Sequence, residues 1–376
     1  MLHTTRLSFS LEPTPINRKM LVVALSAACA SPLALADVTI YGTMNNSLES
    51  VKATGAANSA NDVKSTSRVS SNTSKIGFKG QEDLGNGLKA LWQVEQEISI
   101  DDGGARKGAW AGRNSFVGVS GGFGQVLLGN HDSAYKMVKY LVPLEDGVAD
   151  FTGKDGIINR GSNRLKNSLQ YRSPSFSGFS LGASYGADES RVTLANSERT
   201  NAQVWALAAQ YNADGLLLGG AFERRDDTGA VAGASKTTDH QDFWKAVARY
   251  KFADTELGLG YEYENQDRIV GADQKQSAWS VSATQKFGNF GLGLAYVSLG
   301  KRKGAGSGSI SDADYKANQW SLSGTYDLSK RTQAYAFYTR IDNKNAAKIN
   351  FDSNGITGVA AGSNPTAFGI GLSHKF

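Results

Sequence analysis

The 376-residue chain carries 40 Lys and Arg against 35 Asp and Glu, a formal charge of +5, too small an excess to indicate a nucleic-acid partner. Its one cysteine, Cys29, excludes a disulfide scaffold. Despite 16 Phe, 14 Tyr and 6 Trp among 43 Gly, mean hydropathy is −0.34, and no segment beyond the N-terminal region is apolar for the roughly 20 residues of a spanning helix.

The first element is a leader. In "NRKMLVVALSAACASPLALA", Arg18 and Lys19 precede a short apolar run, and Ala34 and Ala36 form the small-x-small pattern that signal peptidases cleave. Residues 1–36 are therefore expected to be removed on export. A membrane anchor fails on length, because Ser26, Ser31 and Pro32 interrupt the run. Residues 1–19 add nothing to an export signal before Arg18, so Met20 or a nearby codon is an alternative start. Losing Arg6, Arg18, Lys19 and Glu12 with the leader lowers the formal charge from +5 to about +3.

Residues 37–376 form one domain of period-two segments. "FWKAVARYKF" sets Trp244, Ala246, Ala248 and Tyr250 opposite Lys245, Arg249 and Lys251, and "LGLGYEYEN" sets Leu257, Leu259, Tyr261 and Tyr263 opposite Glu262 and Glu264. "AWSVSATQKF" and "QWSLSGTYDL" repeat the scheme, with Trp279, Val281, Trp320, Leu322 and Tyr326 on the apolar side and serines on the other. One face suits lipid and the other water. Charges of both signs on the polar face, and aromatics towards the ends of the apolar one, favour a transmembrane antiparallel β-barrel over a soluble sandwich.

Short connections fall near residues 83–87, 121–124, 173–177, 212–215, 253–255, 288–289 and 327–330, each rich in turn formers. Long ones alternate with them, near 49–67, 99–109, 131–163, 186–200, 226–241, 267–276, 300–315 and 342–365. Fifteen connections require sixteen strands, with short turns on the periplasmic rim and long loops on the extracellular rim. Pro143 and Pro365 fall in long connections and Pro174 in a short turn, which leaves every strand free to donate its ladder bonds.

Sixteen strands leave a lumen that side chains do not fill. The longest connection, residues 131–163, exceeds the length of ordinary structureless loops. Folded into the lumen, it would cover Leu141, Val142, Leu144 and Phe151 and present Glu145, Asp146 and Asp150 to the channel; an extracellular flap is the alternative. The last segment, "AFGIGLSHKF", alternates to the final residue, Phe376, unlike the polar, fraying end of most domains.

The runs "SKIGFKGQEDLGNGLKALWQVEQEI", "RNSFVGVSGGFGQVLLGN", "NSLQYRSPSFSGFSLGASY" and "GLSHKF" resemble the general porins of Gram-negative bacteria, above all the β-proteobacterial type, and the resemblance spans "DVTIYG" to Phe376. It implies a sixteen-stranded homotrimer in the outer membrane, with the third loop in the lumen facing a ladder of basic residues. It also implies that the terminal phenylalanine is read by the barrel-assembly machinery, while the last strand closes against "DVTIYGTM". On this resemblance Arg113 and Arg164 match basic positions of the constriction. Lys75 stands where the family usually has arginine, which keeps the charge but loses the planar fork. Asn130 and His131 replace the usual arginine–glutamine pair. Arg172 shares the parity of Arg164 and joins the expected basic set; the acidic set, Glu145, Asp146 and Asp150, rests on loop character.

Opposed rows of charge would impose a transverse field that decides which ion dwells in the narrow section, although an inward lysine or arginine is more often just a solvated residue. The expectation is therefore a passive channel for small hydrophilic solutes and ions, in contact with outer-membrane lipid and lipopolysaccharide. A substrate-specific channel is the alternative, which Tyr135, Tyr140 and Phe151 leave open. A barrel enzyme would need a base beside a nucleophile. Asp239, His240 and Asp242 adjoin one another in a long connection without forming an oriented dyad, and no metal-ligand spacing or cofactor motif occurs.

Overall fold

Alternating segments of about ten residues, separated by turn formers, satisfy their backbones by pairing with their neighbours into one antiparallel sheet. The structure is a computed structural model that describes residues 38–103, 110–187, 189, 191–228 and 230–376. The expected leader, residues 1–36, lies outside the described residues.

The first half of the sheet comprises β1 (Thr39–Thr54), β2 (Val63–Ser71), β3 (Lys75–Gly85), β4 (Leu88–Glu97), β5 (Ser115–Gly121), β6 (Gly124–Asp132), β7 (Arg164–Arg172) and β8 (Phe179–Ala187). It continues through β9 (Gln203–Ala213), β10 (Leu216–Asp226), β11 (Thr238–Phe252), β12 (Thr255–Arg268), β13 (Gln274–Phe287), β14 (Phe290–Leu299), β15 (Ala317–Asp327), β16 (Thr332–Asn343) and β17 (Asn364–Lys375). From β3 onward consecutive strands pair, β1 pairs with both β2 and β3, and β1 also pairs with β17, so the sheet closes.

Seventeen segments make sixteen staves, because β2 and β3 are halves of one strand. Both pair with β1, β3 along Thr39–Thr43 and β2 along Asn46–Ala53. Thr73, at φ +54°, breaks the run. Ser74 Oγ bridges the gap, donating to Asn45 O at 3.1 Å and accepting from Asn45 N at 2.9 Å. Two expectations need correction at the long-loop rim. Residues 49–54 and 63–67 belong to β1 and β2, and Pro365 is the second residue of β17 rather than part of a connection, where a missing N–H is tolerated.

Closure at the C-terminus follows from the last strand's alternation. Gly42 and Phe376 exchange both backbone hydrogen bonds, at 3.1 and 3.2 Å, so the final residue is a full partner of the first strand.

The sheet is apolar outside and polar inside. On β15, Trp320, Leu322 and Tyr326 are about half exposed, whereas Gln319, Ser321 and Ser323 are buried. Outward rings meet at tilted angles across strands in two belts. One holds Trp205, Phe222 and Trp244, and Trp279, Tyr296 and Trp320, with centroids 4.2–5.3 Å apart; the other includes Phe179 and Tyr211 at 4.7 Å. Leaving such side chains in water would forgo about 1.5–3 kcal/mol each, whereas a hydrocarbon slab flanked by aromatic girdles accepts them. No helix among the described residues is long and apolar enough to cross a membrane.

Candidate functional site: the lumen and its third connection

The third long connection, residues 133–163, is held against the inner wall by the polar side chains that alternation turns inward. It begins at Ser133, whose hydroxyl donates to Glu223 on β10 at 2.6 Å, and at the Ala134 N–H, which donates to Ser184 Oγ on β8 at 2.9 Å. A single helical turn, α1 (Ala134–Met137), brings the Tyr135 hydroxyl to Glu262 on β12 at 2.6 Å. Further on, Ser282 of β13 and Ser321 of β15 donate to Leu141 O and Ala149 O at 2.7 and 2.9 Å. The return limb docks through Arg160, whose N–H donates to Glu262 at 2.9 Å and whose guanidinium lies 2.8 Å from Glu264. Lys245 sits 4.2 Å from the Tyr135 ring and donates to Asn159 at 2.9 Å.

Close approach depends on inward glycines. A Cβ at Gly258 would strike Leu141, one at Gly260 the Tyr140 ring, and one at Gly293 Pro143. Residues 133–163 thus lie against the inner face of the sheet. Leu141 and Phe151 are buried as expected, together with Tyr135, Tyr140 and Val148. Val142 and Leu144 are only partly buried, packed against that core and also lining a cavity.

Among the described residues, two of the cavities lie in the lumen. One of about 790 Å³ lies towards the long-loop rim, against Glu97, Arg113, Lys136, Arg164 and Lys166. The other, of about 750 Å³, lies towards the short turns, against Lys75, Glu145, Lys286, Asp327 and Arg331. Asp146 lines both. Its φ of +69° is a left-handed conformation that aspartate tolerates better than most residues.

The expected acids occupy distinct places. Glu145 is exposed in the short-turn cavity and Asp146 stands between the two. Asp150 is a scaffold for its neighbours: its carboxylate accepts the Thr152 N–H and hydroxyl at 2.8 and 2.7 Å and the Asp146 N–H at 3.2 Å. Burial raises its carboxyl to about 7, against the lowering effect of the Thr152 donors.

The expected bases are dispersed as well. Lys75, opposite Glu97 in the β3–β4 ladder, lines the short-turn cavity. Arg113 lines the other cavity, its Nε 2.6 Å from Glu95 and its Nη1 3.1 Å from Glu97. Arg164 pairs with Asp132 at 3.0 Å and donates to Asn114 at 2.9 Å. A bulge between Gly129 and His131 disrupts the alternation assumed for β7, and Asn167 takes φ +48° there. Arg172 lies 3.3 Å from His131 Nε2 and lines neither cavity, so the structure does not bring it to the passage with the other three.

Glu95, Glu97 and Asp132, the wall acids that pair with this ladder, escaped sequence reasoning. Glu95 and Glu97 stand two apart in "QVEQE", so one face is legible, but only the strand register places Arg113 between them. His240 lies in β11 rather than in a connection, 3.2 Å from Asp239, 3.6 Å from Asp242 and 3.7 Å from Asp267. Among the described residues no group of three or more His, Cys, Asp or Glu side chains is placed to hold a metal.

Comparison with known proteins agrees with this fold. The profile of a family described as Gram-negative porin matches residues 22–346. The chain is 33% identical to the major outer membrane protein P.IB of Neisseria meningitidis, over 95% of this chain and all of that one. It is 28% identical to outer membrane porin protein 32 of Delftia acidovorans, over 96% and 100%. Among solved structures, the anion-selective porin of Comamonas acidovorans superposes with a TM-score of 0.74 at 25% identity, covering 91% of this chain and all of that one.

Proposed function

The chain belongs to the Gram-negative porin family, and from that premise we propose that its narrow section lies at Asp146, between the two cavities. The protein is an outer-membrane diffusion channel, a channel rather than an enzyme. The observation that carries the location of the narrow section is the course of residues 133–163: they cross the lumen on a seat of inward glycines and leave Asp146 facing both sides.

Arg113 and Arg164 line the long-loop side of this section, Lys75 and Glu145 the short-turn side, and Asp146 is common to both. Three cations there stand against five carboxylates, because Glu95 and Glu97 hold Arg113 and Asp132 holds Arg164. The channel therefore discriminates weakly, with a mild preference for cations, unlike the relative titled anion-selective. Tyr135, Tyr140 and Phe151 are buried against the wall, so they offer no aromatic slide, and passage is by size rather than by recognition of one substrate. No catalytic role accompanies this, since the His240 cluster pairs with carboxylates and offers no nucleophile.

The long connections face the cell exterior and the short turns the periplasm. Residues 1–36 are removed on export. Phe376 is the address read by the barrel-assembly machinery, the barrel works as a homotrimer, and its outer belt lies among outer-membrane lipid and lipopolysaccharide. Liposome swelling with a series of neutral sugars tests the solute reading: rates should fall smoothly with sugar size and rise linearly with concentration. Saturation by one sugar would favour a substrate-specific channel.

A further inference from the structure

A second connection, residues 344–363 between β16 and β17, also turns inward. Its Ala347, Phe351, Ile356 and Val359 are 3–5% exposed, so it is packed like an interior segment. Asn343 anchors its base, donating to Ile349 O at 2.8 Å and Ser363 O at 2.7 Å. Asn350 closes its tip: Oδ1 accepts the Phe351 and Ile356 N–H groups at 2.9 and 3.1 Å, and Nδ2 donates to Ile356 O at 2.8 Å. Asn354, at the apex, holds φ +53°, a conformation asparagine adopts more readily than most residues.

This closed turn touches two other elements. On the wall side, Asn354 Nδ2 donates to Ser71 O at 3.1 Å and to Asn72 Oδ1 at 2.8 Å, and the Arg68 guanidinium donates to Asn354 O and Gly355 O. Arg68 is itself fixed by Glu49 at 2.9 Å. On the lumen side, Asp352 Oδ1 accepts the Asp155 N–H at 2.9 Å, and the Asp352 carboxylate fills the space a Cβ on Gly153 would need. Asp352 and Ser353 line the same cavity as Asp146, Arg113 and Arg164.

We propose that residues 350–356 are a second fixed arm of the pore, and that Asp352 is a positioning residue that clips the 153–155 turn of the third connection against it. The third connection is then held at both ends of its inward course: by Glu223, Glu262 and the glycine seat on one side, and by the 350–356 turn on the other. Free of the clip, the 153–155 turn moves within the mouth and the current through the narrow section fluctuates. The proposal rests on the channel reading.

Single-channel recording of the purified full-length protein with two substitutions tests it. Asp352→Ala removes the acceptor, whereas Asp352→Asn keeps a side-chain oxygen for the Asp155 N–H and removes only the charge. Closures should become at least three-fold more frequent in D352A, with D352N as quiet as the parent. A D352A channel as quiet as the parent, or a D352N channel as noisy as D352A, overturns the clip. A silent parent would instead overturn the channel reading. Should D352A fail to insert, an Asp155→Cys/Asp352→Cys protein serves, because Cys29 leaves with residues 1–36 and the rest of the chain has no other cysteine. A short bifunctional thiol reagent should join the two positions in the folded barrel and leave conductance at the parental level. No cross-link, or a cross-linked protein with altered conductance, overturns the proposal.

Discussion

Arg113 is held to Glu95 across the β4–β5 junction, Nε to Oε1 at 2.6 Å. Glu97 takes a second guanidinium nitrogen at 3.1 Å, and the side chains of all three are no more than 14% exposed. An arginine so placed contributes little net field to the lumen. Glu97→Gln should free part of its charge and move the reversal potential in a salt gradient towards anion preference. Arg113→Gln should move it further the other way, because two carboxylates are left without their cation. That second variant also loses stability, on the order of 3 kcal/mol, since it breaks a largely buried pair by removing one partner. Equal reversal potentials in parent, E97Q and R113Q would place the selective section elsewhere.

Asp150 gives the channel a pH dependence near neutrality. Its carboxyl is raised to about 7 by burial, so raising pH from 6 to 8 adds negative charge beside Asp146 and should increase cation preference. Stability follows the same titration. The folded protein keeps this proton up to about pH 7, whereas an unfolded aspartate releases it near the ordinary 3.8. The contribution is therefore fully present below the unfolded value and declines as pH rises through 7. Asp150→Asn should flatten both profiles between pH 6 and 8, and an unchanged profile in D150N would assign the titration to another group.

The inward glycines predict a packing effect. Gly260→Leu places a side chain where the Tyr140 ring lies, and overpacking of this kind costs roughly 1–3 kcal/mol. The third connection should lift from β12, giving a lower thermal midpoint and conductance steps of variable size. Leu259→Ala, on the outer face of the same strand, should leave the step size unchanged.

The addressing role proposed for Phe376 separates experimentally from its structural one. The Gly42–Phe376 hydrogen bonds are made by the backbone, so Phe376→Ala retains them and refolding in detergent should yield a closed barrel. Insertion in cells should fall several-fold, read as folded barrel recovered from the outer membrane. Parental yield in cells would leave the terminal ring with a packing role alone.

Sixteen staves were legible because alternation and turn chemistry are local signals. Trp320, Leu322 and Tyr326 against Gln319, Ser321 and Ser323 needs no knowledge of any other strand. Alternation failed where the apolar residues face inward and the polar ones outward: along "ESVKAT", Val51 is buried beside Glu49 while Lys52 is exposed, so hydropathy does not distinguish the end of β1 from a loop. The inward course of residues 133–163 was suggested by length, but its seat was hidden, because Gly258 and Gly260 read as gaps in a strand until Leu141 and Tyr140 are seen against them. The basic ladder was visible as residue types. Its neutralisation by Glu95, Glu97 and Asp132 depends on register and on a bulge at Asn167, which no single strand's pattern contains.

The central claim is an open, weakly selective channel narrowed at Asp146, and current through single molecules addresses it most directly. Purified protein in a planar bilayer should give stepwise ohmic conductance. In a KCl gradient its reversal potential should lie far from the ideal limit for either ion and move towards anions in Asp146→Asn. Folded, inserted protein that passes no current, or a reversal potential indifferent to Asp146, would contradict the account.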